Sequence, residues 1–287
     1  MDLIIKGLQN TWQLKKLIAI LWAINLIVAS LFLIPYSGTF RDFFSNRMVT
    51  DILAEQNIYT YYAEFYHFMG SAVSSSFSWI QAGNLIHYLL IMFLTGGFIS
   101  ALGMKSKLDL KKYWRACLDF GPIMILFGLI TPVLLGILFL VGLFAGLPLT
   151  FLLPDYLSEV YYFYFFIFLS VLILIFLIGG WLILDLAKIK IIETRDRRVG
   201  RALIEAFRLL VRYPLNYFGH YLMIVLLWVI VTAAYWSLQH YLPDRSPGAI
   251  LLDFFLIQLA VWVQIWIRFS RYDVLLQLLR DTECESD

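Results

Sequence analysis

Between Asp119 and Asp155 the chain runs for 35 residues without a charged side chain. Bilayer hydrocarbon is ~30 Å thick and takes ~20 apolar residues of helix to cross. Residues 120–154 therefore hold one spanning helix and a turn, which Pro148 and Pro154 mark. Five other stretches reach the same length. The expected spans are 17–35, 80–102, 122–146, 160–184, 214–242 and 249–268. Inside a membrane only helices and closed barrels satisfy their own backbone groups. Barrel strands would alternate apolar and polar residues over ~10 positions, and these runs do not alternate. The expected fold class is all-α: a polytopic membrane bundle of six transmembrane helices with interfacial amphipathic helices, forming a single membrane domain over 1–287.

Composition agrees with this reading. The chain is 61% hydrophobic and 15% charged, against ~45–50% and ~25% in soluble domains. A disordered chain would need the opposite balance. Two cysteines, Cys117 and Cys284, are too few for a disulfide scaffold. The net charge of +2 implies no nucleic-acid partner. The first apolar run follows Lys15 and Lys16 and lacks a small-residue cleavage site, so it reads as a retained signal anchor.

The distribution of cations sets an expected orientation. Residues 1–16, 103–119, 185–212 and 268–287 contain 19 of the 22 basic residues, and the opposite side keeps Arg41, Arg47 and Arg245. Both termini are expected to be cytoplasmic, which puts both cysteines on the reducing side. On the other side, Val49, Ile52, Leu53, Tyr59, Tyr62, Phe65, Tyr66 and Met69 recur near helical spacing. They predict an outer-leaflet amphipathic segment over 48–69. Ser71 to Ser78 reads as a flexible return. The chain has no Asn-x-Ser/Thr sequon, which favours a bacterial origin.

An internal repeat is visible at an offset of 83. Phe93-Leu-Thr-Gly96-Gly97-Phe98 aligns with Phe176-Leu-Ile-Gly179-Gly180-Trp181, and Lys105 and Lys107 align with Lys188 and Lys190. Each copy is followed by an amphipathic segment and then a proline, Pro122 or Pro214, that opens the next span. Spans 2–3 and 4–5 thus read as parallel hairpins. Span 6 with the carboxyl tail, and the amino segment with span 1, look like halves of a third unit. Gly96, Gly97, Gly179 and Gly180 suit close helix packing, with a hinge as the alternative.

Four basic amphipathic segments flank the spans on the cation-rich side: 3–16, 109–119, 195–212 and 271–280. Arg198, Arg201, Glu205, Arg208 and Arg212 are spaced 3, 4, 3 and 4, one polar stripe of a helix. Val199, Ala202, Leu203, Ala206, Leu209 and Leu210 form its apolar stripe. Lys111, Lys112 and Arg115 face away from Leu110, Tyr113, Trp114, Cys117 and Leu118. In the tail, Tyr272, Leu275, Leu276 and Leu279 are flanked by Arg271 and Arg280. The apolar stripes are expected at headgroup level, with the cations facing anionic lipid. Passive lipid contact and a docking surface for headgroups or a partner protein are both open readings.

Polar groups inside a membrane are costly and often functional. Asn25, Asn84, His87, Asp253 and Gln264 are candidates for a polar cavity between spans 1, 2 and 6. Each also has a structural reading, as an interhelical hydrogen-bond former or a group reaching water. Asn216 and His220 sit one turn apart in span 5. Asp185, one turn before Lys188, reads as an interfacial ion-pair partner. No catalytic residue, metal set or cofactor motif stands out. His220 and His240 are ~30 Å apart along one helix. There is no Cys-x-x-Cys or His-x-x-x-His pair, and no Gly-x-x-x-x-Gly-Lys loop or Gly-x-Ser-x-Gly elbow.

Trp22 and Asn25 in span 1, the Gly-Gly pairs, Asp185-Leu-Ala-Lys188 and Arg201-Ala-Leu-Ile-Glu-Ala-Phe-Arg208 carry a resemblance. Together they look like an uncharacterised family of bacterial six-span membrane proteins. They are also loosely similar to the membrane domain associated with bacterial glycerophosphodiester phosphodiesterases. The resemblance covers most of the chain and is one of layout. It implies a bacterial inner membrane and a lipid-related setting. The 287 residues contain no phosphodiesterase domain, so that activity and its residues are not carried over. The resulting expectation is a non-catalytic accessory or scaffold protein that engages lipids or partner membrane proteins. A small transporter with a polar intramembrane path is the alternative, and an intramembrane enzyme a more distant one.

Overall fold

A computed structural model describes residues 2–45, 58–103, 110–151, 159–241 and 247–284. Among them are eight helices and no strand: α1 (Asp2–Gln13), α2 (Lys15–Ser45), α3 (Ile58–Gly103), α4 (Leu110–Phe151), α5 (Glu159–Thr194), α6 (Val199–Arg212), α7 (Pro214–His240) and α8 (Pro247–Cys284). The chain is an all-α, polytopic integral membrane protein. Five segments are long and apolar enough to cross a bilayer: Gln81–Gly103, Leu110–Phe144, Phe163–Thr194, Pro214–Gln239 and Leu251–Thr282. Asp2–Gln13 and Lys15–Leu31, bent by 72°, make a sixth if the pair counts as one span.

Several boundaries differ from those read along the chain. Helix α2 continues through Pro35 to Ser45, and α4 passes through Pro122 and Pro148 to Phe151. Ser71 to Ser78 lies inside α3 rather than in a return loop. Proline removes one backbone hydrogen bond and crowds the preceding turn, at a cost of ~3 kcal/mol in a water-exposed helix. In hydrocarbon, unwinding the helix would strand several backbone groups, so the helix survives its prolines. Pro214, in contrast, does open α7, at its first turn. The segment 109–119 is therefore continuous with the following span, whereas Tyr213 separates α6 from α7. The tail 271–280 is likewise continuous with its span in α8. Of the expected outer segment 48–69, residues 48–57 lie outside the described residues, and from Ile58 the backbone belongs to α3.

The helices form two compact units, residues 1–19 with 92–287, and residues 20–91. In the larger unit α4 packs on α5, α5 on α6 and α8, α7 on α8, and α1 on α8. Its core is not at the middle of the apolar runs. Leu182, Leu186, Ile189, Tyr217, Tyr221, Tyr272, Leu275, Leu276 and Leu279 are buried together near the basic ends of the helices. Phe98 stacks on Phe269 with ring centroids 3.6 Å apart. Away from this layer Val133, Ile137, Phe144, Phe163, Phe166, Leu251 and Phe255 are exposed. That distribution fits helices whose apolar sides face lipid, where hydrocarbon replaces protein at no hydrophobic cost.

The apolar stripes of the basic segments are used in two ways. Tyr272, Leu275, Leu276 and Leu279 are wholly inside the core instead of lying at a membrane surface. On α4, Tyr113 and Cys117 are buried, while Leu110, Trp114 and Leu118 are exposed beside the exposed Lys111, Lys112 and Arg115.

Candidate functional site

Asp185 stands near the end of α5 and is almost completely buried. Four donors from three helices surround its carboxylate. Lys188 Nζ, one turn on, lies 3.0 Å from Oδ1, and the Tyr272 hydroxyl of α8 donates to the same oxygen at 3.2 Å. Arg271 Nη2 of α8 lies 2.8 Å from Oδ2, and the Tyr221 hydroxyl of α7 donates to that oxygen at 3.2 Å. The Arg271 guanidinium also sits over the Tyr221 and Tyr272 rings, at 5.1 and 5.6 Å from their centroids. Such contacts favour a cation on the ring face. Arg271 Nε is buried without a hydrogen-bond partner among the described residues.

The reason for this arrangement is electrostatic. A buried charge is tolerated only when it is paired and its remaining lone pairs are satisfied. Both carboxylate oxygens of Asp185 receive one cation and one phenol. A carboxylate held this way is saturated and has no open side for proton transfer to a substrate, so the centre ties α5, α7 and α8 together. Further polar ties close the same layer. Tyr217 and Thr282 hydroxyls are 2.8 Å apart across α7 and α8. Asn10 Nδ2 of α1 donates to Asp273 Oδ2 at 3.1 Å, and Trp266 Nε1 of α8 donates to the Leu8 carbonyl at 3.1 Å. Arg280 pairs with Glu193, joining the ends of α8 and α5.

Helix α6 is the second element of interest, and it has three faces. Ala202 and Ala206 are buried, and their small side chains allow the helix to lie close to α5. Arg201, Arg208 and Arg212 are exposed on a second face. Ile204, Phe207 and Val211 are exposed on a third, at 56%, 55% and 63%. The stripe read from sequence included Ala202, Leu203, Ala206, Leu209 and Leu210 and covers the packed side; the bulky third face went unread. Arg201 pairs with Glu205 at 3.0 Å and lies 3.6 Å from Asp196, whereas Arg208 takes part in no ion pair among the described residues.

Where α5 turns into α6, Arg195 adopts φ 54° and Arg198 precedes the first helical residue. The turn leaves a cavity of about 180 Å³ lined by Lys190, Thr194, Asp196, Arg198, Arg201, Ala202 and Glu205.

The expected polar residues belong to both units. In the unit 20–91, His87 Nε2 lies 2.6 Å from Asn25 Oδ1, which makes Nε2–H the donor with the amide in this orientation. Asn84 is exposed in the same unit. In the larger unit Gln264 Nε2 donates to the Thr232 hydroxyl of α7 at 3.3 Å. Asp253 is half-buried, with Oδ1 enclosed and without a hydrogen-bond partner among the described residues. His220 Nδ1 lies 2.7 Å from the Asn216 carbonyl. Among the described residues no group of His, Cys, Asp and Glu could hold a metal ion.

The glycine pairs are not equivalent. A Cβ on Gly97 would run into Cys117 and come within 3.0 Å of the Tyr113 carbonyl, and one on Gly96 would meet Phe120 at 3.0 Å. A Cβ on Gly180 would run into Leu138, while one on Gly179 would meet nothing within 4 Å. The residue 83 positions before Asp185 is Leu102, an apolar side chain. Missing from the sequence reading were Tyr221 and the roles of Tyr272, read only as part of an apolar stripe, and Arg271. A signal did exist: Tyr217, Tyr221 and Tyr272 crowd the charged ends of their spans, and a buried phenol needs a hydrogen-bond partner. Comparison of the chain with family models, with curated proteins and with solved structures finds no match.

Proposed function

We propose that this chain is a non-catalytic scaffold of the bacterial inner membrane, whose cytoplasmic rim engages anionic lipid or a partner protein. In this reading six spans place both termini in the cytoplasm, and spans 2–3 and 4–5 descend from one hairpin. The observation that carries it is the triple-faced helix α6. Its small face packs on α5, while an exposed apolar stripe, Ile204, Phe207 and Val211, runs beside the exposed cations Arg208 and Arg212. That combination suits a helix lying at the headgroup level. Leu110, Trp114 and Leu118 beside Lys111, Lys112 and Arg115 supply a second patch of the same kind. The saturated Asp185 centre supports a structural rather than catalytic core.

The test reverses Arg208 and Arg212 to Glu and measures retention of phosphatidylglycerol after purification in mild detergent, together with copurifying proteins. Each cation near an anionic surface contributes ~1 kcal/mol, so the double variant should lose roughly thirtyfold or more in lipid partitioning. Unchanged lipid and unchanged partners, in a protein of normal thermal stability, would reject the proposal.

A transporter reading draws on the α7–α8 seam, where Gln264 meets Thr232, and on the enclosed Asp253 oxygen, which lacks a hydrogen-bond partner among the described residues. It requires Asp253→Ala to abolish a solute flux in reconstituted vesicles while the amount of folded protein stays constant.

A further inference from the structure

The corner between α5 and α6 points to a second role for the same rim: we propose that it binds a phosphate group carried by a water-soluble compound. The cavity of about 180 Å³ has the room of about six waters at ~30 Å³ each. That accepts a phosphate with part of its hydration shell and is smaller than the ~300–1,000 Å³ of sites for drug-sized ligands.

The charges of its wall favour an anion. Lys190, Arg198 and Arg201 face Asp196 and Glu205, which leaves one positive charge in excess. The two acids are already committed. Glu205 Oε1 takes Arg201 Nε at 3.0 Å, and Oε2 lies 3.8 Å from Lys190 Nζ. Asp196 Oδ1 accepts the Arg198 backbone N–H at 3.2 Å, and Oδ2 lies 3.6 Å from Arg201 Nη1. The carboxylates thus hold Lys190 and Arg201 in place beforehand, a saving in ordering cost when a ligand arrives. The Arg198 guanidinium makes no ion pair or hydrogen bond among the described residues. Its planar fork of donors matches two oxygens of a phosphate.

The source of the phosphate follows from the helix wheel. At 3.6 residues per turn, the mean direction of the cavity residues Arg201, Ala202 and Glu205 lies about 130° around α6 from that of Ile204, Phe207 and Val211, with Arg201 the nearest to the stripe, about 60° from Ile204. If that apolar stripe meets the leaflet, as the proposed function has it, the cavity opens on the aqueous side. The direction of the mouth rests on that reading; the phosphate site itself does not.

The experiment uses the full chain in mild detergent. Inorganic phosphate is titrated against chloride at constant ionic strength, and binding is read by calorimetry and by thermal unfolding. Saturable binding and a rising unfolding temperature are expected. Arg198→Gln and Lys190→Gln should each weaken binding about tenfold or more, the loss of one charge-assisted hydrogen bond. Arg208→Gln, outside the cavity, should bind as the wild type does. The titration is then repeated in nanodiscs of phosphatidylcholine with and without phosphatidic acid, and the phosphate affinity should be the same in both. No saturable binding, or binding that Arg198→Gln leaves intact, overturns the site. Phosphate binding lost only with phosphatidic acid overturns the water-borne source and assigns the cavity to a lipid headgroup. Failure here is distinguishable from failure of the proposed function, because lipid retention is read on Arg208 and Arg212.

Discussion

Replacing Asp185 by Asn tests whether the buried centre holds the helices together. The carboxylate lies between Lys188 at 3.0 Å and Arg271 at 2.8 Å, and both Asp185 and Lys188 are 3% exposed. Removing its charge leaves two cations in a poorly hydrated place. Breaking a buried pair in this way costs about 3–5 kcal/mol, because the orphaned charge cannot recover its hydration. Asn keeps one acceptor oxygen, so one of the phenol hydrogen bonds, from Tyr221 or Tyr272, survives. The loss should therefore fall near the lower end, about 3 kcal/mol. Equilibrium unfolding with increasing SDS in mixed micelles reads this directly. A triple variant, Asp185→Leu with Lys188→Met and Arg271→Met, removes the charges as well as the pairing. It should regain most of the loss, since apolar replacement of a complete buried ion pair is often neutral or stabilising. Asp185→Asn within 1 kcal/mol of the wild type would refute the argument, and so would a triple variant less stable than the single one.

The glycines offer an opposed pair: Gly97→Ala should destabilise by about 1–3 kcal/mol through overpacking against Cys117, while Gly179→Ala should be neutral or stabilise by up to about 1 kcal/mol, both read by the same SDS titration. Exposed Cys284 should react rapidly with a maleimide in detergent and buried Cys117 should not; in sealed right-side-out vesicles an impermeant maleimide should miss Cys284 if the tail is cytoplasmic. His87→Leu should cost about 0.6–1.7 kcal/mol, the range of interhelical hydrogen bonds in membranes, and Asn25→Leu should add little once His87 is gone. Additive losses in that double variant would show that the two side chains do not act as a pair.

The apolar runs were legible along the chain because hydrocarbon leaves a long uncharged segment one regular option, the helix. Helix ends were not. Pro35, Pro122 and Pro148 carry the signals that stop helices in water, and all three lie within continuous helix. The ion-pair centre was half legible. Lys188 follows Asp185 by one turn, but Arg271 and Tyr272 are more than eighty residues away and Tyr221 is on another helix. Periodicity describes one helix at a time and is blind to such meetings. Helix α6 shows the same limit at smaller scale. Its spacing revealed an amphipathic helix, yet two apolar flanks adjoin its polar stripe. Which one packs was decided by size: Ala202 and Ala206 permit close approach, and Ile204, Phe207 and Val211 do not.

The hydrogen bond from Trp266 to the Leu8 carbonyl joins residues 258 positions apart in the chain. At ~5–20 residues per second a ribosome needs about 13–52 s to make that stretch. Throughout that time α1 has been synthesised but its docking site on α8 has not. The amino-terminal helix must wait at the membrane surface, an amphipathic segment without its partner, and Asn10 must wait for Asp273. Completion of α8 is thus the event that captures α1. A ribosome stalled before residue 266 would leave α1 undocked and open to proteolysis, and synthesis of α8 would close that window.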